Sequence, residues 1–213
     1  MSQIDFYFDF SCPWSYLALV RLRDVADRNA ATIEFKPVSV HHILATEVPD
    51  RQATRLSLNP AKAAWERRDL ALWAKFWGLR LELRDNWPFD ASTPGAAMLL
   101  AQQLGGGLPF ALELFAAHFA GGRNICDAGV LEEAAVNVGL DQAKFGAGLQ
   151  NALWLEQIAA NSGELIRRGG FGTPSMFVGD ELFFGNDRVP LVEWTLGPVS
   201  DAEFVIPGQH GKI

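Results

Sequence analysis

Two cysteines stand in very different company along this 213-residue chain. Cys12 follows the run Ile4-Asp5-Phe6-Tyr7-Phe8-Asp9-Phe10 and is followed at once by Pro13-Trp14-Ser15-Tyr16. The first run alternates apolar and polar residues, as a strand does; after Pro13, Tyr16, Leu17, Val20, Leu22, Val25 and Ala26 recur at helical spacing. Cys12 therefore lies at the mouth of a helix, with Pro13 at the first helical position, where a missing N–H costs nothing. Unpaired N–H groups and the helix dipole favour thiolate there, which predicts a lowered Cys12 pKa and a reactive sulphur. The residue three beyond it is Ser15, so no local thiol can resolve a disulfide that Cys12 forms. Cys126 precedes Asp127, a helix N-cap candidate, and reads as structural.

Other chemically capable side chains carry weaker patterns. His41-His42 have no cysteine or carboxylate at ligand spacing, and no metal site is expected. His118 lies on a helical stripe and reads as structural. Trp65, Trp73 and Trp77 share helical spacing and read as core, while Lys62, Arg67 and Arg68 read as a solvated face. The formal net charge of −7 lacks the basic excess of a nucleic-acid surface. No apolar run has the length of a membrane span, and Met1-Ser2-Gln3-Ile4-Asp5 lacks the features of a signal peptide. A cytoplasmic, reducing setting is the expectation, and Cys12 and Cys126 make no disulfide framework there.

The elements that must position Cys12 fall into three blocks. Ile4–Phe10, the helix from Pro13 to about Arg28, and a second strand at Thr32–Val40, broken at Pro37, form a β-α-β unit with parallel strands. Residues 59–168 are rich in Ala, Leu, Glu and Gln and read as helices: Pro60–Trp77 capped by Asn59, a helix opened by Ser92-Thr93-Pro94, then Leu108–Ala120, Asp127–Val138, and one or two more over Asp141–Arg168. Strands return at Thr173–Val178 and Glu181–Phe184 around a Gly179-Asp180 turn, and Arg188–Leu196 closes as a helix before a loose tail from Ser200. A strand, a helix-mouth Cys-Pro and a late Thr173-Pro174 form the layout of a thioredoxin-like α/β fold interrupted by a helical insertion. The division expected is 1–58 with 169–213 as the thioredoxin-like domain and 59–168 as the insertion domain. In that layout the Thr173-Pro174 bond is cis and lies beside the reactive residue.

Asp9-Phe10-Ser11-Cys12-Pro13-Trp14-Ser15-Tyr16-Leu17-Ala18, Phe171-Gly172-Thr173-Pro174 and Phe184-Gly185-Asn186-Asp187-Arg188 together resemble the 2-hydroxychromene-2-carboxylate isomerases and the related kappa-class glutathione transferases. Asn59-Pro60-Ala61-Lys62, with Trp65 and Asp69, resembles the segment that opens the insertion in that family. The resemblance spans nearly the whole chain and implies a glutathione-dependent isomerase of an aromatic-degradation intermediate, acting on a small aromatic or electrophilic substrate. It implies that the Thr173 main chain beside Pro174 pairs with the cysteinyl part of glutathione. Gly185, Asn186 and Asp187 would meet its γ-glutamyl end, and Trp14, Asn59 and Pro60 would face the substrate. A homodimer is implied too. The family has a serine before the helix-opening proline, and here that position is Cys12, as in monothiol glutaredoxins and disulfide oxidoreductases. A glutathione transferase or peroxidase, or a monothiol oxidoreductase using Cys12, is the alternative. The Asn186-Asp187 pair could also simply cap the last helix.

Overall fold

A computed structural model describes residues 2–47, 60–83 and 89–197. The chain opens with strand β1 (Gln3–Phe8), helix α1 (Pro13–Arg28) and strand β2 (Thr32–Pro37). β1 and β2 pair in parallel from Gln3–Thr32 to Phe8–Pro37, as a helical crossover requires. Cys12 takes the N-cap position of α1 with extended backbone, and Pro13 opens the helix. The expected parallel β-α-β unit holds, except that β1 stops at Phe8 and β2 at Pro37. Residues Val40–Glu47 then form a helix, α2, which the sequence reading misses, taking in only Val40 as the end of a strand.

Five helices of the middle block follow the expected order: α3 (Pro60–Phe76), α4 (Ser92–Gln103), α5 (Gly107–Phe119), α6 (Ala128–Asn137) and α7 (Gln142–Gly148). A sixth, α8 (Leu153–Arg167), completes it, so the Asp141–Arg168 stretch holds two helices. Asp127 caps α6 by accepting from Gly129 and Val130 N–H groups, as its sequence position predicts. β3 (Ser175–Val178) and β4 (Glu181–Phe184) form the hairpin, with Gly179 at a positive φ of 60° in its turn. A 3-10 turn, Asn186–Arg188, leads into the last helix, α9 (Val189–Leu196). The expected tail beyond Ser200 lies outside the described residues.

The four strands lie in the order β2-β1-β3-β4, with β3 antiparallel to both neighbours. Alternation along β1 gives each sheet face its own cluster. Ile4, Phe6, Phe8 and Phe10 join α1, α9 and Phe115 and Phe119 of α5 in the main core. Tyr7 and Phe177 pack on the other face against Ile43 of α2 and Leu165 of α8. That second face is stitched by charge: Lys36 Nζ lies 2.8 Å from Glu164, and Arg168 Nη1 meets Asp5 Oδ2 at 2.6 Å and the Tyr7 hydroxyl at 3.2 Å. α1 also packs on α3, α5 and the 3-10 turn. The mouth of α1 is thereby held between the helical block on one side and the β4–α9 connection on the other.

Candidate active site

Cys12 is placed by its own backbone first. Its N–H donates to the Asp9 carbonyl at 2.9 Å, and its carbonyl accepts from Ser15 N–H at 3.1 Å. The Asp9 side chain is buried and fixes the same turn: Oδ1 accepts from Ser11 N–H at 2.8 Å and Oδ2 from Val40 N–H at 2.9 Å. One carboxylate thus joins the Cys12 turn to the start of α2.

Across from it, the Thr173-Pro174 bond is cis, as expected. Cys12 Sγ donates to the Thr173 carbonyl at 3.4 Å. The paired registers of β3 begin at Ser175, so the Thr173 main chain belongs to neither ladder. Pro174 O accepts from Gly185 N–H at 3.0 Å, which draws the Gly185-Asn186-Asp187 turn to the same end of the sheet. Gly185 has a φ of 101°, and a Cβ built there would stand 2.7 Å from Asp187 Oδ1. Only glycine suits that backbone. Neither Asn186 nor Asp187 caps a helix through its side chain, so the capping alternative does not describe them.

Polar groups here are buried and unmatched. Ser15 Oγ, Thr173 Oγ1 and Asn186 Nδ2 have no hydrogen-bond partner among the described residues. A buried polar group left unpaired costs about 1–3 kcal/mol, and each calls for an explanation. The fourth such atom is Trp77 Nε1. Trp77 belongs, with Trp73, to the apolar cluster of Leu17, Leu70 and Ala74 on which Trp14 packs. Trp14 is half-buried, so the residues around Cys12 present an aromatic wall on the α3 side. Phe171 and Phe184 present another on the β4 side, with ring centroids 4.6 Å apart and both rings partly exposed.

The electrostatics correct one expectation. Burial pushes the Cys12 thiol above its ordinary value, and the nearby Asp9 charge pushes it further. The Ser15 hydroxyl, the Thr173 hydroxyl and the Ser15 N–H pull the other way without overcoming burial. The Ser15 hydroxyl is close enough to favour a thiolate electrostatically, but is not placed for a full hydrogen bond. Helix-mouth position is visible in sequence, and desolvation is not; here desolvation wins.

Of the residues singled out from the sequence, Cys12, Thr173, Pro174, Gly185, Asn186 and Asp187 converge on one end of the sheet. Trp14 borders them. Pro60 is exposed at the start of α3, and Asn59 lies outside the described residues. Trp65, which reads as core, is 56% exposed. Among the described residues no group of His, Cys, Asp and Glu could hold a metal ion. Sequence reasoning misses Asp9 and Ser15 as members of the site.

A family model for the DSBA-like thioredoxin domain matches residues 3–197. The chain belongs to this family. As a DSBA-like thioredoxin domain it is 28% identical over 194 residues to the 2-hydroxychromene-2-carboxylate isomerase of Sphingobium xenophagum, covering 89% of this chain and 95% of that one. A solved 2-hydroxychromene-2-carboxylate isomerase superimposes with a TM-score of 0.73 at 24% identity, over 91% of this chain and 94% of that one. The cytosolic disulfide reductase DsbM of Pseudomonas aeruginosa, solved with GSH, superimposes with a TM-score of 0.62 at 21% identity, over 91% and 98%. No helix among the described residues is long and apolar enough to cross a membrane.

Proposed function

We propose that this DSBA-like thioredoxin domain is a glutathione-dependent isomerase of the 2-hydroxychromene-2-carboxylate type, acting on a conjugated aromatic keto acid. The observation that carries the reading is the set of buried, unpartnered groups around Cys12: Ser15 Oγ, Thr173 Oγ1 and Asn186 Nδ2. An extended ligand with a thiol in its middle and an amino-acid group at one end matches that spread of donors and acceptors. Likeness to isomerases over most of the chain supports the reaction class.

Glutathione fits these residues, and when bound it supplies a thiolate that can add to a conjugated double bond and leave again, permitting rotation in between. The chain's own residues do the rest. Cys12 S–H would donate to the sulphur and hold it ionised, with the N-terminal N–H groups of α1 behind it. The Thr173 main chain lies outside both ladders, with its carbonyl met only by Cys12 Sγ, and suits pairing with an extended backbone. Asn186 Nδ2 and the exposed Asp187 carboxylate suit an α-carboxylate and an ammonium respectively. Trp14, backed by Trp73 and Trp77, offers an apolar wall for a ring substrate and excludes water from it. The division into a thioredoxin-like part, 1–58 with 169–213, and an insertion at 59–168 belongs to this reading, with the insertion shaping the substrate side. So do a reducing, cytoplasmic setting and a homodimer.

The raised Cys12 thiol weighs against a monothiol oxidoreductase, whose nucleophile must be a thiolate. A transferase or peroxidase shares the thiolate but needs no bond rotation. Following the absorbance of 2-hydroxychromene-2-carboxylate with and without glutathione tests the reading. Turnover that requires glutathione supports it; turnover indifferent to glutathione, or none, refutes it.

A further inference from the structure

The segment that leads into β3 leaves one side chain without a task. Gly172 O accepts from Ser175 Oγ at 2.8 Å, Pro174 O from Gly185 N–H at 3.0 Å, and Thr173 O from Cys12 Sγ at 3.4 Å. The Thr173 hydroxyl, in their midst, is buried and has no partner. Such a hydroxyl loses its bonds to water and gains none, a cost that a valine of the same shape would avoid. Of the two orphan hydroxyls at this end of the sheet, Ser15 is fully enclosed, whereas Thr173 keeps 8% of its surface exposed. Its carbonyl is met by Cys12 Sγ, so the residue stands directly across from the thiol. Its hydroxyl favours negative charge on that sulphur, although the two are not aligned in a hydrogen bond. A hydroxyl is also the stronger donor, since S–H donates only weakly.

We propose that the Thr173 hydroxyl is a catalytic donor of this site: it hydrogen-bonds the sulphur of bound glutathione from the β3 side, facing Cys12 across that sulphur, and holds it as thiolate. The assignment rests on the glutathione reading above and names within it the stronger of two side-chain donors. Main chain and side chain of Thr173 then act on one ligand together, the first aligning its backbone and the second meeting its sulphur. On ionisation the glutathione S–H bond breaks, the proton passes to solvent and the electron pair stays on sulphur, between an O–H from Thr173 and an S–H from Cys12. The titratable groups around this place are Cys12 from α1, Asp9 from the turn before it, and Asp187 from the 3-10 turn, paired with Arg188 at 3.1 Å. His41 of α2 bears on Asp9. The threonine hydroxyl does not titrate among them, and so donates at every pH at which the thiolate is needed.

The test is the thiol titration of bound glutathione, read as the thiolate absorbance of its complex minus that of the S-methylglutathione complex. The methylated ligand has no thiol to ionise, so the protein's own cysteines, Cys12 and Cys126, cancel. In the wild type the midpoint should lie below that of free glutathione. Thr173→Val keeps the branched shape and deletes the O–H; it should raise the midpoint by about one pH unit and cut the thiolate fraction below the midpoint about tenfold. Thr173→Ser should restore the wild-type midpoint, and S-methylglutathione should bind all three forms alike in calorimetry. The melting temperature of ligand-free Thr173→Val should hold or rise, because the hydroxyl removed has no partner; a clear fall would make the hydroxyl structural and overturn the assignment. A midpoint unmoved in Thr173→Val, with glutathione still bound, overturns the proposal and leaves the glutathione reading standing. No glutathione binding by the wild type overturns both. Should Thr173→Val fail to fold, as circular dichroism would reveal, Thr173→Ala is titrated in its place. A wild-type midpoint at or above that of free glutathione overturns the proposal without any variant.

Discussion

Replacing Cys12 separates the two chemistries that its position permits. In the isomerase reading Cys12 contributes one S–H hydrogen bond to a bound thiolate, from the place where it now meets the Thr173 carbonyl at 3.4 Å. Cys12→Ala deletes that donor. A hydrogen bond to a charged group is worth about 1.5–3 kcal/mol, and a thiol is the weaker sort of donor, so the glutathione-dependent rate should fall about tenfold, at most a hundredfold. Cys12→Ser supplies a hydroxyl at the same Cβ, and the rate should return to within about threefold of the wild type or exceed it. The assay is initial rate at saturating glutathione, with the dissociation constant of glutathione measured separately by calorimetry. The ranking serine, cysteine, then alanine is the signature. A serine variant as inactive as the alanine variant would mean that the sulphur itself reacts, and the reasoning from the raised thiol would be wrong. An alanine variant as active as the wild type would remove Cys12 from the site.

The remaining expectations bear on affinity and stability. Asn186→Ala removes a buried amide nitrogen that has no partner, so the melting temperature should hold or rise while glutathione affinity weakens about tenfold; an unchanged affinity would refute its role. Gly185→Ala places a Cβ on a backbone with φ of 101° and against Asp187 Oδ1, and should lower both stability and glutathione affinity; a neutral result in calorimetry and thermal melts would contradict the geometry. Arg168→Ala breaks contacts to Asp5, Tyr7 and the Gly179 carbonyl and should cost about 1–3 kcal/mol, or about 2–12 °C in melting temperature, with glutathione affinity little changed. Burial pushes the Glu164 carboxyl up, but the Lys36 ammonium and its other neighbours hold it net below its ordinary value. Its contribution to stability is therefore complete above the unfolded glutamate range, near about 4.3, and is lost as pH falls through the lower folded value. The drop in melting temperature from pH 6 to pH 3 should be smaller in Glu164→Gln than in the wild type, and equal drops would rule the contribution out.

Local patterns make much of this fold legible. β1 is visible because Ile4, Phe6 and Phe8 bury one face while Asp5 and Tyr7 meet the other, and a period of two survives whatever packs on each face. The start of α1 is fixed by Pro13, whose geometry admits few other positions. Helix α2 is missed, and its first residue taken as strand, because Phe35 to Val40 extends the apolar look of β2 past Pro37. Its signal is Ser39, whose Oγ accepts from His42 N–H in the manner of an N-cap. Trp65 reads as core from its spacing with Trp73, yet only the Leu70–Ala74 stripe of α3 faces α1, and Trp65 lies off it.

The site is legible where chemistry is written into residue type at a fixed chain position, as with Cys12-Pro13, Thr173-Pro174 and Gly185-Asn186-Asp187. It is illegible where a residue acts through what encloses it. Asp9 alternates with Phe8 and Phe10 and so reads as the polar face of a strand. Only tertiary folding brings Val40 N–H onto its second oxygen and buries its side chain. The same enclosure reverses the expected state of Cys12. A helix mouth stabilises a thiolate by a fraction of a charge, whereas burial and a neighbouring carboxylate act on the whole charge and in the opposite direction. In the proposed reading a cysteine in a serine-like position keeps the work of a serine, donating a hydrogen bond to a thiolate that arrives with the ligand. In the proposed reading the likeness to isomerases and the Cys-Pro motif describe one site, and the ranking of the serine, cysteine and alanine variants tests it.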